Sequence, residues 1–213
     1  MATFEKGILG GFSGKVGNVV GTRWRGKNVM RSLPQRGSYT PSTKQEEQRD
    51  RFRTVMGFIS PFMDVLSLYF GSPKGDKSRS NMATSYHLKN AVVSGPDGMV
   101  MDYPKVLISK GDLRGIDGGT LAAAANQVLN FGWLDNSGQG KATATDTLMV
   151  VIYAPDLDMY YTDLAVATRD ATTAAVTVPN FMAGFEVQVW ASFSIPETNY
   201  AAISTYMGAV TVL

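Results

Sequence analysis

The feature that most constrains the fold of this chain is a glycine-rich stretch near its start, GILGGFSGKVGNVVGTRWRG. It holds seven of the chain's 22 glycines: Gly7, Gly10, Gly11, Gly14, Gly17, Gly21 and Gly26. Glycine loses more backbone entropy on folding than any other residue. Such a segment therefore becomes ordered only when contacts with other residues offset this loss. The apolar residues between the glycines, such as Phe12, are what a strand or a docked arm buries. We therefore predict a segment pressed closely against another backbone, its own or a neighbour's, and the alternative is a flexible linker.

Residues 19–32 of this region are predicted to form a β-hairpin. The segments VVGTRWR and NVMRS flank the pair Gly26-Lys27, and a glycine-first pair suits a two-residue type II′ turn. Side chains alternate along a strand, so Arg23 and Arg25 are expected on one face and Trp24 on the other. Trp24 is then either the core anchor of the hairpin or an anchor at an interface.

Charge is unevenly distributed along the chain. The net charge is +2, but residues 1–36 carry seven basic residues against Glu5 alone, a net charge of +6, which leaves −4 for the remainder. A basic arm on a mildly acidic body predicts a polyanion or the acidic body of a neighbouring subunit as partner. We favour protein neighbours in a homo- or hetero-oligomeric assembly over nucleic acid, because nucleic-acid arms carry denser runs of Lys and Arg.

The middle of the chain has helical periodicity. Ser42 followed by Gln45 is a capping-box pattern, and apolar residues then recur at steps of three and four. Pro61 is predicted to kink or split this helix, because proline removes a backbone donor and clashes with the preceding turn. A second helix is predicted to begin at a cap on Asn81 and to run through Val93.

From residue 103 the apolar period becomes two, and turn residues arrive about every ten positions. The predicted strands lie near 104–110, 119–125, 127–134, 145–154, 158–168, 173–179, 184–195 and 203–213. The predicted fold class is mainly β (α+β), with a C-terminal antiparallel immunoglobulin-like β-sandwich preceded by a two-helix segment and the glycine-rich N-terminal arm with its hairpin. The predicted domains are the arm, 1–35, the helical segment, 36–100, and the sandwich, 101–213.

Composition and motif checks argue against catalysis. The chain has no cysteine and a single histidine, His87, which is interpreted as a hydrogen-bonded structural residue, so thiolate and His-based metal sites lack ligands. Val16 follows Lys15 where a phosphate-binding loop needs Ser or Thr, and Tyr161 falls where a calcium loop needs glycine. We predict no enzyme activity, no cofactor and no metal. No apolar run is long enough for a membrane span, and no Sec signal is recognised.

Several segments taken together resemble one family of uncharacterised proteins. They are GILGGFSGKVGNVVGTRWRGKNVMRSLP, SYHLKNAV, MDYPKVLISKGDL and the tail pattern DTLMVVIYAP, VTVPNF and EVQVWASF. That family occurs in Bacteroidota and in their phages and prophages, and is classed as a domain of unknown function. The resemblance covers nearly the whole chain and supplies no catalytic residues. It implies a role in assembling a virion or a prophage-derived particle.

Two classes of function remain open. The first is a structural subunit of a phage virion or prophage-derived particle, a capsid-decorating or other component, that docks through its arm. Its expected interface residues are Gly7, Gly10, Gly11, Phe12, Gly14, Gly17, Gly21, Arg23, Trp24 and Arg25. The second is a binding module for a carbohydrate or a surface partner, which uses sandwich loops at one end, with Asp135, Asn136, Asp156 and Asp158 as candidates. The expected location is the virion, and the alternatives are the bacterial cytoplasm or the cell surface by a route other than a Sec signal.

Overall fold

The computed structural model divides into two compact units, Met1–Thr43 and Lys44–Leu213, which we call the arm and the body. It describes residues 3–4, for which only the backbone is considered, 10–35, 37, 40–73, 75, 77–96 and 98–213.

The arm forms a four-stranded antiparallel sheet, the arm sheet. Its strands, in sheet order, are β1 (Thr3–Phe4), β2 (Phe12–Val16), β3 (Val19–Trp24) and β4 (Lys27–Ser32). The predicted hairpin over 19–32 is present as β3 and β4, but its turn differs from the prediction. Trp24 pairs with Lys27, so the loop is Arg25-Gly26, and φ is +47° and +79° at these two residues. Positive φ at both positions is the type I′ pattern, which places glycine second and not first.

Three helices follow the arm sheet. Helix α1 spans Thr43–Ile59, a 3₁₀ turn spans Ser60–Phe62, α2 spans Met63–Tyr69 and α3 spans Arg79–Asn90. Pro61 lies in the 3₁₀ turn and splits the first predicted helix, as expected. The second helix begins earlier than predicted, because Ser78 is its cap and the Ser78 hydroxyl accepts a hydrogen bond from the Asn81 amide at 3.3 Å. It also ends at Asn90, short of Val93.

The body contains ten strands over the described residues. They are β5 (Val92–Gly95), β6 (Gly98–Met101), β7 (Thr120–Ala124), β8 (Val128–Gly132), β9 (Thr147–Ala154), β10 (Met159–Thr168), β11 (Thr173–Thr177), β12 (Glu186–Ile195), β13 (Tyr200–Ala201) and β14 (Thr205–Thr211). A central sheet has the order β10-β9-β12, and both β13 and β14 pair with β12. A second sheet has the order β11-β8-β7, and β5 pairs with β6. All of these pairings are antiparallel.

The predicted strand at 104–110 does not form. Pro104 lies in a 3₁₀ turn, Tyr103–Lys105, and the chain then runs on without a ladder. The Ile108 amide donates to the Ser204 hydroxyl at 3.0 Å, which replaces a strand partner with a side chain. The other seven predicted strands are present, and the predicted mainly β fold with a C-terminal antiparallel β-sandwich is confirmed.

The central sheet is apolar on both faces. In β9, Leu148, Val150 and Ile152 belong to the core shared with the second sheet. The alternate residues Met149, Val151 and Tyr153 belong to a separate core shared with the helices. A strand buried on both faces has no polar side, which is why LMVVIYA reads as a continuous apolar run. The body therefore has three layers, helices, central sheet and second sheet.

This layering groups the helices with the sandwich. The predicted division into 1–35, 36–100 and 101–213 differs from the two units of the structure, because helices α1 and α2 contribute to the same apolar core as β9 and β12. Phe58 of α1 lies at the centre of that core. Its ring makes edge contacts with Phe62, Tyr153, Tyr160 and Trp190, with centroid distances of 5.2–6.0 Å.

Removing the Phe58 ring tests this shared core. Phe58 is 6% exposed, whereas Phe52 on the same helix is 49% exposed. We expect Phe58→Ala to lower the free energy of unfolding by about 3–5 kcal/mol, because it leaves a cavity between the helix and the sheet. Phe52→Ala is the matched control and is expected to change it by less than about 0.5 kcal/mol, as is usual for surface substitutions. Urea denaturation followed by circular dichroism measures both, and equal effects would contradict a core shared by α1 and the central sheet.

Candidate functional site

The arm sheet is the candidate interface, because it has ordered strands but almost no buried side chains. Between residues 10 and 35, Gly21 is the only buried residue that the structure describes, and all six residues of β4 are exposed. Phe12, Val19 and Val20 are half-buried, whereas Trp24 and Met30 are 52% and 66% exposed. Trp24 is therefore not the core anchor of a folded hairpin.

The glycines of the arm serve its own sheet. A Cβ on Gly21 would lie 2.5 Å from the Phe12 carbonyl oxygen, and one on Gly11 would lie 2.0 Å from the Asn28 side chain. Gly14 and Gly17 have φ of +114° and +57°, which side chains rarely adopt. Of the two possibilities left open, the structure shows close approach to the arm's own chain at Gly11 and Gly21. Gly10 is a half-buried bend residue at the start of the described stretch, and Gly7 lies outside the described residues.

Strand register assigns the exposed residues to two faces of the arm sheet. Direct pairing places Trp24 opposite Lys27, and Thr22 opposite Val29, on what we call the tryptophan face. The Arg25 guanidinium lies 5.0 Å from the Trp24 ring centroid. The other face, which we call the methionine face, carries the remaining residues of this ladder, among them Val16, Phe12, Gly14, Gly21, Arg23 and Met30.

Sequence reasoning missed Val29 and Met30 as interface residues. They are adjacent in β4, so they lie on opposite faces, and both are exposed. The signal was present in the segment KNVMRS, because a strand with one buried face alternates apolar and polar residues and this one does not. An apolar residue on each face indicates that both faces of the strand are covered, either by the protein's own chain or by a partner.

The two loops predicted to form one binding site lie at opposite ends of the sandwich. Residues 135–141 precede the start of β9 at Thr147, whereas 155–158 follow its end at Ala154. An eight-residue strand is roughly 25 Å long. Asp135 and Asn136 are therefore not brought together with the aspartates of the second loop.

Asn136 is a structural residue of a buried polar network. It is 3% exposed, and its side-chain amide donates to the Gly115 carbonyl at 2.9 Å and to Asp117 at 2.8 Å. Its carbonyl accepts from the Arg169 guanidinium. The same guanidinium is ion-paired with Asp146 at 3.0 Å. The network thus joins the loops that close one end of the sandwich.

Arg169 is fully buried at the centre of this network. Its guanidinium lies 3.9 Å from the centroid of the Phe193 ring and donates to the Arg114 carbonyl at 2.9 Å. Burial lowers the pKa of Arg169 and the Asp146 carboxylate opposes that effect, so the group stays charged at neutral pH. A charge in this position stabilises only while its partners remain in place.

The remaining candidate aspartates also have local roles. The Asp135 carboxylate accepts from the Ser137 amide at 2.9 Å, and this hydrogen bond holds the pKa of Asp135 below its usual range. Asp158 has φ +50° and accepts from the Tyr153 hydroxyl at 3.1 Å. Asp156 lies in the 3₁₀ turn that precedes it. Burial raises the pKa of Tyr153 and, in the neighbouring strand, of Tyr160.

His87 makes two hydrogen bonds inside the body. Nδ1 lies 2.8 Å from the Ala83 carbonyl, to which it must donate, and Nε2 accepts from the Leu107 amide at 3.3 Å. This assigns the neutral Nδ1–H tautomer. Desolvation lowers the pKa of His87, which agrees with the structural interpretation of this residue.

No metal-binding cluster of three His, Asp or Glu side chains occurs in the part of the chain that the structure describes. Over the same residues, none of the helices has the length and apolarity needed to cross a bilayer.

Comparison with known proteins gives one family. A family model described as "Family of unknown function (DUF6266)" matches residues 11–208, which include nearly all of the arm sheet and the body. The chain belongs to the DUF6266 family. No curated protein matches this DUF6266 chain. Among solved structures it is similar to the fn3 domain of the human collagen alpha-1(XX) chain, with 12% identity, 49% of this chain and 88% of that domain covered, and a TM-score of 0.34. A TM-score this low carries no argument.

The roles of Asn136 and Asp135 can be separated by substitution. We expect Asn136→Ala to lower the free energy of unfolding by about 1–3 kcal/mol, because the substitution removes one of the buried acceptors of Arg169 and the side-chain donor to the Gly115 carbonyl. Asp135→Ala, one residue away and exposed, is expected to have a clearly smaller effect. Chemical denaturation of the two variants checks this, and small, equal effects would mean that Asn136 is not a structural residue.

Proposed function

We propose that this protein is a non-enzymatic structural subunit of a larger assembly, and that its arm sheet docks on a neighbouring subunit. The observation that carries the proposal is the exposure of the arm sheet, in which Gly21 is the only buried residue among the described positions 10–35. Sheets of three or more strands are stable when one face is covered. A neighbour that covers this sheet supplies the burial that its own chain lacks.

The tryptophan face has the composition of an interface. The Arg25 guanidinium makes a cation–π contact with the large Trp24 ring, and Val29 lies on the same face as Trp24. Tryptophan and arginine are the residues that most often dominate the energy of protein interfaces. This favours Trp24 as an interface anchor, the second of the two alternatives raised by the sequence.

The outer edge of β4 provides a second means of docking. Within the described residues, β3 is the only strand that pairs with β4, so the other edge of β4 is available to a further strand. Such an edge accepts a strand from another chain. The basic side chains of the arm sheet add long-range attraction toward an acidic partner surface.

We place the assembly in a phage virion or prophage-derived particle, as a capsid-decorating or other component. Support for this location comes from the resemblance of the sequence segments described above. The alternative, a binding module built from sandwich loops, receives less support, because 135–141 and 155–158 lie at opposite ends of β9 and Asn136 is held in the buried network.

Substituting the exposed arm residues tests the proposal. The double variant Trp24→Ser/Met30→Ser removes one apolar side chain from each face of the arm sheet. We expect the body to fold as in wild type, while self-association measured by sedimentation velocity weakens by about 30-fold or more, as for loss of an interface anchor. In the bacterial host, the tagged variant is expected to be depleted from gradient-purified particles, as quantified by mass spectrometry.

A matched control removes exposed apolar side chains from the body. Leu134 and Phe181 are 65% and 47% exposed, which is close to Met30 and Trp24. Leu134→Ser/Phe181→Ser should associate and enter particles as wild type does. If the arm variant also behaves as wild type in both assays, the arm is a tether and the proposal is wrong.

A further inference from the structure

Lys110 differs from the other basic residues that follow residue 100. After residue 100, four of the five basic residues form ion pairs with an aspartate. These pairs are Lys105–Asp102, Arg114–Asp117, Lys141–Asp112 and Arg169–Asp146. Lys110 forms none among the described residues, and neither do Lys77, Arg79 and Lys89. These four residues line one surface beside helix α3.

Three of the four surround a groove of about 560 Å³. The floor is apolar and consists of Phe70, Met82 and Tyr86, which belong to the helical core or pack against it. Lys77, Lys89 and Lys110 are exposed at its rim. Among the residues that the structure describes, no aspartate or glutamate lines the groove. An apolar floor with a positive rim favours a ligand that is both apolar and anionic.

The positive surface continues beyond the groove. A smaller pocket of about 130 Å³ shares Gly71 and Lys110 with it. It is lined by Arg79 and by Asp112, whose carboxylate is ion-paired with Lys141. The Arg79 Nε donates to the Gly71 carbonyl at 2.8 Å, which fixes the guanidinium beside the groove. Arg79 thus adds a fourth basic side chain beside the three lysines of the groove.

We propose that this groove binds an acidic peptide segment of a partner protein. The carboxylates lie against the lysines at the rim, and one apolar side chain lies on the floor. The arm is not the occupant, because it is itself basic, so this site is independent of docking through the arm sheet.

The aromatic residues argue for a peptide over a nucleic acid. Stacked bases need an open ring face. Phe70 is buried, and the Lys110 ammonium lies 5.3 Å from the Tyr86 ring centroid, so it covers one face of that ring. Met82 has a flexible side chain that adapts to different apolar groups.

Methionine methyl NMR on the full-length chain tests the proposal, because three methionines report on three surfaces. Met82 lies in the groove, Met56 in the adjoining groove between α1 and α3, and Met30 on the arm sheet. The probe is a synthetic nine-residue peptide that alternates glutamate and leucine. We expect the Met82 methyl signal to shift and saturate, while Met56 and Met30 stay in place. The same peptide with glutamine in place of glutamate should leave all three unchanged.

Charge reversal provides the matched comparison. Lys89→Glu/Lys110→Glu is expected to weaken peptide binding by at least about tenfold, as for two partly exposed ion pairs. Lys44→Glu/Arg49→Glu makes the same change in net charge at two exposed residues of the body that do not line the groove, and should leave the affinity unchanged. The proposal is overturned if only Met30 shifts, if no methyl shifts, or if single-stranded DNA shifts Met82 with the affinity of the peptide.

Discussion

The body of this protein depends on the burial of β9 and β12 from both sides. Side chains that point one way from β9, such as Val150, pack against the second sheet, and those that point the other way, such as Val151, pack against the helices. The central sheet needs both the helices and the second sheet, because without either layer one of its apolar faces would be exposed to water. The helices are therefore part of the sandwich's core.

The arm sheet has the opposite construction. Its four strands pair in chain order from β1 to β4, and its turns at Gly17 and Gly26 have the positive φ values that glycine permits. Yet none of its side chains is fully buried among the described residues 10–35. Backbone hydrogen bonds contribute little net stability when both partners are otherwise solvated. An ordered ladder without a core is the physical reason for expecting a partner at this sheet.

Elements with strong apolar periodicity were predicted correctly from the sequence. The predictions failed where a single contact or a single turn residue determines the local structure. Apolar patterning and the spacing of turn residues predicted seven of the eight strands correctly, and Pro61 predicted the helix break. The strand at 104–110 failed because side chains, such as the Ser204 hydroxyl, replace its ladder partners. The arm turn shifted by one residue because a glycine at the second position also satisfies a hairpin.

Predictions about sites from the sequence were limited for a related reason. Asn136 looked like an exposed loop residue, since nothing local indicates that Arg169, 33 residues later, reaches it. The groove beside α3 was missed because Lys77, Lys89 and Lys110 come together only in the fold. The run LMVVIYA did indicate that both faces of the central sheet are covered.

Amide hydrogen exchange, measured by mass spectrometry on the monomer and on the assembled form, tests the contrast between body and arm most directly. Amides of β9 and β12 should exchange only through global unfolding in both forms. Amides of residues 12–32 should exchange quickly in the monomer and become protected on assembly. If those arm amides are as protected as β9 in the monomer, the arm sheet is stable without a partner, and the central claim is contradicted.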